Sequence, residues 1–237
     1  MTRHQRTALL IGDPAAERLA QAHVLVLGLG GVGGAAAEML CRAGISRLTL
    51  VDGDVVEETN CNRQLFATSE TIGMPKTQAA AMRLRTIDPD VQLHCIQRFL
   101  TVQDIPALLN PAPDYAVDAI DCVPVKVAFL AECFRRGIPV ISAMGTGAKL
   151  DPEALCRADI SKTEQCALAR VVRRQLRELG ITKGISVIYS KEAANSSARM
   201  EINDAAGNRR STTGTISYLP NLAGCHCAAA VIRDLIG

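Results

Sequence analysis

Glycines at 28, 30, 31 and 33 follow the apolar run 24–27 and open an alanine-rich stretch, in the order Gly28-Leu29-Gly30-Gly31-Val32-Gly33. In a strand-to-helix turn this spacing cradles a phosphate. Gly28 permits the tight turn, Gly30 admits close approach of the backbone, and Gly33 lets helix and strand pack. The anion then faces free N–H groups and the positive end of the helix dipole. NAD and ATP are served equally by such a loop, so the residues that follow must choose. Asp52 ends the second apolar run, where a carboxylate accepts hydrogen bonds from a ribose, and Asp54 follows as its support or as a cation ligand. Asn60, Arg63 and Gln64 bring a guanidinium and two amides into the next loop, and Lys76 begins the helix after it. Two cations beside a phosphate cradle suit a triphosphate, because negative charge grows on the leaving pyrophosphate as the α-phosphorus is attacked. Asp121 lies just past the fourth strand, where a carboxylate can hold Mg²⁺ against phosphates. A hydride donor would give Arg63 and Lys76 no clear task. Taken singly, Arg63 reads as a surface ion pair, Lys76 as a solvated helix residue and Asp118 as a cap. Their combination at strand ends points to chemistry.

The elements that must position these groups are legible as an alternation. Residues 24–27, 48–51, 91–96, 115–118 and 140–142 read as short buried strands. Helical patterns over 32–43, 76–87, 102–109 and 123–136 lie between or beside them, with Gly44 and Gly137 at expected C-caps and Pro75 before a helix start. Alternation of this kind predicts an α/β fold: a Rossmann-like, open, mainly parallel sheet with helices on both faces. Beyond Asp151 a charged helical period covers 159–179, a strand covers 185–189, a polar loop covers 191–215 and a closing helix covers 222–236. The expectation is one domain: a helical arm over 1–22, a nucleotide-binding core over 23–150, and an elaboration of the same sheet over 151–237.

Composition narrows the class. A net charge of +2 is too small to announce a nucleic-acid partner, so any basic surface must come from clustering. Arg170, Arg173, Arg174 and Arg177 recur at helical spacing, giving a positive stripe to which Arg209-Arg210 would add. With three Tyr, four Phe and no Trp, extensive base stacking is not expected. No apolar stretch suits a membrane span or a signal peptide, which predicts a cytoplasmic protein without a membrane partner. Nine cysteines without a C-x-x-C pair suggest reduced thiols. Cys225-His226-Cys227 reads as structural, since positions two apart on a helix do not share a face.

Together these motifs resemble the ThiF/MoeB/E1 superfamily of ATP-dependent adenylating enzymes. The matching segments are the glycine loop, Val51-Asp52-Gly53-Asp54, Asn60-Cys61-Asn62-Arg63-Gln64, Gly73-Met74-Pro75-Lys76 and Asp118-Ala119-Ile120-Asp121. The resemblance implies ATP and Mg²⁺ as cofactors, Asp52 on the ribose, Asn60, Arg63, Gln64 and Lys76 on phosphates, and Asp121 on the metal. It also implies a homodimer in which Arg6 reaches the partner's ATP. The second half is similar to the branch that dehydrates threonylcarbamoyladenosine in tRNA, through Asp159-Ile160-Ser161-Lys162-Thr163, Val187-Ile188-Tyr189-Ser190-Lys191-Glu192 and Gly214-Thr215-Ile216-Ser217-Tyr218-Leu219-Pro220. Some relatives carry a cysteine before the last helix; here that neighbourhood is Arg209-Arg210-Ser211-Thr212-Thr213-Gly214, without a thiol. The implied reaction is ATP-dependent cyclisation at position 37 of a tRNA through an adenylated carboxylate. Cysteine desulfurase or sulfur-acceptor proteins are further implied partners. The alternatives are adenylation of the C-terminal glycine of a ubiquitin-like sulfur carrier, an NAD oxidoreductase, or a non-catalytic nucleotide-bound scaffold.

Overall fold

The structure is a computed structural model that describes residues 3–203 and 209–237. In chain order, α1 (Gln5–Ile11) and α2 (Asp13–Gln21) form the arm and lead into β1 (His23–Leu27), α3 (Gly31–Ala43) and β2 (Arg47–Val51). Then come α4 (Lys76–Ile87), β3 (Gln92–Ile96), the one-turn α5 (Ile105–Leu108), β4 (Tyr115–Asp118), α6 (Val123–Arg136) and β5 (Val140–Ala143). The remainder is β6 (Leu155–Asp159), α7 (Ala167–Glu178), β7 (Ser186–Ser190), β8 (Arg199–Asn203), β9 (Arg209–Thr213) and α8 (Tyr218–Ile236).

Seven strands form one sheet in the order β3-β2-β1-β4-β5-β7-β6, all parallel except the edge strand β6, which runs antiparallel to β7. This is the Rossmann-like sheet that the alternation predicts. Successive residues of β1 face opposite ways. Val24 and Val26 pack toward α3, α4 and α8, while Leu25 and Leu27 pack toward α5, α6 and α7. Small residues let α8 lie close on α3, with Gly224 against Val32 and Ala35. Gly44 and Gly137 end their helices in the left-handed conformation, at φ 105° and 65°, as C-cap glycines do. No helix among the described residues is long and apolar enough to cross a membrane.

Several boundaries differ from those the sequence predicts. The charged period over 159–179 is not one helix: β6 ends at Asp159, a 3-10 turn spans Ile160–Lys162, and α7 begins only at Ala167. Asp159 caps that turn by accepting from Ser161 N, which stops continuous helix there. The polar stretch 191–215 contains a two-stranded hairpin, β8–β9; β8 alternates through Met200 and Ile202, but β9 has no apolar residue. Residues 102–109 form a 3-10 turn and a single α turn instead of a continuous helix, and α8 starts four residues before the expected Leu222. As an edge strand β3 is largely exposed rather than buried.

Candidate active site

Strand order reverses between β1 and β4, since the chain moves outward to β2 and β3 before returning to β4. At such a switch point the C-terminal ends of adjacent strands part and leave a crevice. Here the crevice measures about 560 Å³ and is bounded by the glycine loop, the ends of β2 and β4, and the loop that precedes α4. Sterics require glycine at 28 and 33. Gly28 has φ +89°, and a Cβ there would sit 2.9 Å from the Ala119 backbone. A Cβ on Gly33 would run into the carbonyl oxygen of Gly28. Gly30 faces open space, with only Gln64 Nε2 within 4 Å (3.9 Å), so the room beside it is available to a ligand. No side chain caps α3, which leaves its first N–H groups for an anion.

Asp52 binds the loop itself. One carboxylate oxygen accepts from Leu29 N at 2.6 Å and the other from Asp54 N at 2.8 Å. Burial pushes its pKa up, while the nearby Lys76 ammonium and the two N–H groups pull the other way. Each oxygen keeps a further lone pair, so a ribose hydroxyl can still be accepted.

The segment 55–75 leaves the sheet and closes on itself. Lys76 N donates to Asp54 O at 3.0 Å, Gly73 N to Val56 O at 2.8 Å and Val56 N to Met74 O at 2.8 Å. This closure holds Asn60, Arg63 and Gln64 over the cleft. Asn60 is buried, and its Oδ1 accepts from Glu57 N, capping a 3-10 turn. Gln64 is buried beside Gly30. The Arg63 guanidinium donates to Thr59 O at 2.9 Å and to Asn62 Oδ1 at 2.8 Å. Lys76, the first residue of α4, is buried and pairs with Asp54 at 2.8 Å. A cation at a helix N-terminus opposes the dipole, a placement that favours ligand binding over helix stability.

Asp121 is exposed at the cleft wall. Among the described residues no group of three His, Cys, Asp or Glu side chains could hold a metal alone. Cys225-His226-Cys227 belongs to no metal group among the described residues, and burial pushes the Cys227 thiol up to about 12. Asp118 is not a cleft residue; its Oδ1 accepts from Ile120 N at 3.4 Å, a weak cap on the turn after β4. It is fully buried, paired with the equally buried Lys126 at 2.8 Å and hydrogen-bonded by Ser142 at 2.5 Å. Lys126 also donates to Ile120 O at 2.9 Å, so a buried ion pair braces the wall that carries Asp121.

Arg6 is exposed on α1 and does not line its own chain's cleft. His4, just before that helix, packs on Gly44 at the far end of α3, roughly 20 Å of helix from the glycine loop. Arg98, Phe99 and Cys122 also line the cleft, and sequence reasoning missed them. Their place directly after β3 and β4, at the same edge of the sheet, is the signal that would have found them.

On α7, Arg170, Arg174 and Arg177 are exposed along a groove of about 390 Å³. Arg173 lines the same groove but is only half-exposed. Its guanidinium turns back to Thr163 O at 2.8 Å and to the Thr163 hydroxyl, tying the helix to the turn before it. The side chains of Arg209 and Arg210 lie outside the described part.

A sequence profile of the ThiF family matches residues 3–237. The chain belongs to the ThiF family. Within it, the tRNA threonylcarbamoyladenosine dehydratase of Bacillus subtilis is 39% identical, covering 98% of this chain and 93% of the relative. The crystal structure of the E. coli tRNA N6-threonylcarbamoyladenosine dehydratase TcdA in complex with ATP superimposes with a TM-score of 0.90 at 31% identity, covering 99% of this chain and 93% of that one. The E. coli sulfur carrier protein ThiS adenylyltransferase is 36% identical, but over 62% of this chain and 60% of its own.

Proposed function

We propose that this ThiF-family chain is an ATP-dependent tRNA threonylcarbamoyladenosine dehydratase. The threonyl carboxylate of N6-threonylcarbamoyladenosine, at position 37 of a tRNA, attacks the α-phosphorus of ATP and expels pyrophosphate. A carbamoyl atom of the same nucleoside then attacks the adenylated carbonyl, loses its proton, and expels AMP as the ring closes. Water is lost overall, its oxygen leaving in the AMP. Both nucleophiles belong to the substrate, so ring closure gains from proximity and needs no protein thiol. One observation carries the choice of acceptor: the B. subtilis dehydratase matches 98% of this chain and the E. coli TcdA structure superimposes on 99% of it, whereas the carrier-protein adenylyltransferase matches 62%.

The cleft supports a role for each residue. The N–H groups of α3 receive phosphate oxygens beside Gly28, Gly30, Gly31 and Gly33, while Asp52 accepts from the ribose. Lys76 leaves Asp54 for the triphosphate, and Arg63, Gln64 and Asn60 close over it. Mg²⁺ would neutralise charge on the leaving pyrophosphate, and Asp121, an exposed carboxylate of the cleft wall, would hold it. Arg6 cannot serve its own cleft from the far end of α3, so its part requires a homodimer and acts on the partner's nucleotide. The exposed arginines of α7 supply the cationic surface for the tRNA backbone.

Purified protein incubated with ATP and threonylcarbamoylated tRNA is expected to release AMP and pyrophosphate while the modified nucleoside loses the mass of water. No release from fully modified tRNA would sink the proposal. Release triggered by a ubiquitin-like carrier and not by tRNA would establish the alternative.

A further inference from the structure

Asn221 stands in the first turn of α8, and its side-chain amide donates to two backbone carbonyls, Arg63 O at 2.9 Å and Ser217 O at 2.5 Å. Asn62, the neighbour of Arg63, makes a second bond in the same direction, from Nδ2 to Thr215 O at 3.1 Å. Between the two, Pro220 presses on the glycine loop. A Cβ on Gly31 would lie 2.9 Å from Pro220 Cβ and 3.2 Å from the Arg63 carbonyl oxygen. The segment 214–221 therefore meets the arginine loop at two points and the phosphate cradle at a third. Its remaining bonds run outward, with Gly214 O accepting from Ala148 N at 2.8 Å and Tyr218 Oη donating to Leu150 O at 2.7 Å.

Asn221 is not built as a packing residue. Its Oδ1 is buried with no hydrogen-bond partner among the described residues, while the nitrogen serves two acceptors. An unpartnered buried acceptor costs stability, and such a group calls for an explanation other than stability. The explanation available is its partner. Arg63 is held from its own loop through the guanidinium and from α8 through the main chain, and only the second hold comes from another element.

We propose that Asn221 is a positioning residue for Arg63: it fastens the arginine loop to the start of α8 and thereby sets where the guanidinium meets the nucleotide phosphates. The inference rests on the reading of Arg63 as a phosphate ligand. By the same bond, the hairpin β8–β9, which runs directly into this segment, is joined mechanically to the phosphate site.

Asn221→Asp tests this with little change of shape. It replaces the donor by an oxygen that repels both carbonyls, yet a carboxylate in the first turn of a helix is favourable for folding. The two effects on folding oppose each other, so the melting temperature of each variant is measured beside its affinity. ATP affinity of the full chain, measured by calorimetry without tRNA, should fall about tenfold, the scale of one charge-assisted hydrogen bond. In an Arg63→Ala background the same substitution should add less than about twofold, because two groups acting through one interaction are not additive. Equal losses in both backgrounds, no loss in either, or a wild type that binds no ATP would overturn the assignment. If Asn221→Asp melts early, Asn221→Ala removes the donor without repulsion and is read through the same cycle. Calorimetry needs no tRNA, so a wrong substrate assignment leaves the cycle readable.

Discussion

Lys76 and Asp54 face each other at the mouth of the cleft, 2.8 Å apart, with the lysine side chain 10% exposed and the aspartate side chain 52% exposed. A backbone bond, Lys76 N to Asp54 O, holds the same two residues together where the loop 55–75 closes. The asymmetry matters because a buried cation needs a partner, whereas a half-exposed carboxylate can return to water. Asp54 thus keeps the ammonium in place at the cleft. Lys76→Met is expected to lower AMP formation by about 100- to 1,000-fold, the scale of losing one group that meets transition-state charge. Asp54→Asn should act mainly on KM for ATP. A Lys76→Met protein with wild-type kcat would remove Lys76 from the chemistry.

The basic groove on α7 separates two kinds of arginine. Replacing Arg170, Arg174 and Arg177 by Ala should flatten the dependence of tRNA affinity on salt, by about 0.7–0.9 in slope for each phosphate that is no longer neutralised. Arg173→Ala should instead destabilise the fold by about 1–3 kcal/mol, since buried carbonyls lose their donor, and leave the slope alone. Filter binding across a salt series and urea melts of both proteins check the pair. A slope change on Arg173→Ala alone would reverse the assignment.

The buried pair under the cleft wall makes a stability prediction. Lys126→Met leaves Asp118 charged, buried and unpaired, at a cost of about 3–5 kcal/mol. Adding Asp118→Asn should recover much of that loss, because the stranded charge is gone. Chemical denaturation of the single and double variants decides the matter. A double variant no more stable than Lys126→Met would mean that the pair is not the source of the effect.

Acid should unfold the protein through a small set of carboxylates. Burial pushes the Glu38 carboxyl up, but Arg83 and Arg42 outweigh it and hold the group below its ordinary value. Arg157 holds Asp234 low through two hydrogen bonds, helped by Tyr115. Because both folded-state values lie below the unfolded ones, their contribution is complete above the ordinary carboxylate range. It is lost as pH falls through the lower folded values. Urea midpoints should be steady from pH 7 to roughly 5 and drop below about pH 4. Asp234→Asn should flatten that drop, and an unchanged profile would exclude Asp234 from it.

Much of the site could be read without coordinates because a glycine loop and the ends of parallel strands are local facts. Gly28, Asp52 and Asp121 follow strands whose apolar runs are visible, and parallel order sends those strand ends to one edge. Arg63 and Lys76 were legible by type and position, but their partners were not. Nothing in the spacing from Asp54 to Lys76 says that the loop between them closes on a backbone bond. Edge elements were the least visible. The antiparallel β6 and the strand β9 show no clear apolar period in the sequence, and the alternation of β8 through Met200 and Ile202 is only five residues long.

The residue string by itself determined the α/β alternation, the glycine-rich turn and the edge of the sheet where the cleft opens. Backbone sterics and apolar periodicity act between near neighbours and survive in any reading of the chain. Tertiary structure alone decided which charges are free. Arg173 turns inward, Asp118 is locked to Lys126, Arg6 sits at the wrong end of α3 for its own cleft, and Asn221 reaches Arg63 from the last helix. A charged side chain takes its role from the partner that another element brings to it, and that partner is set by packing, not by sequence distance.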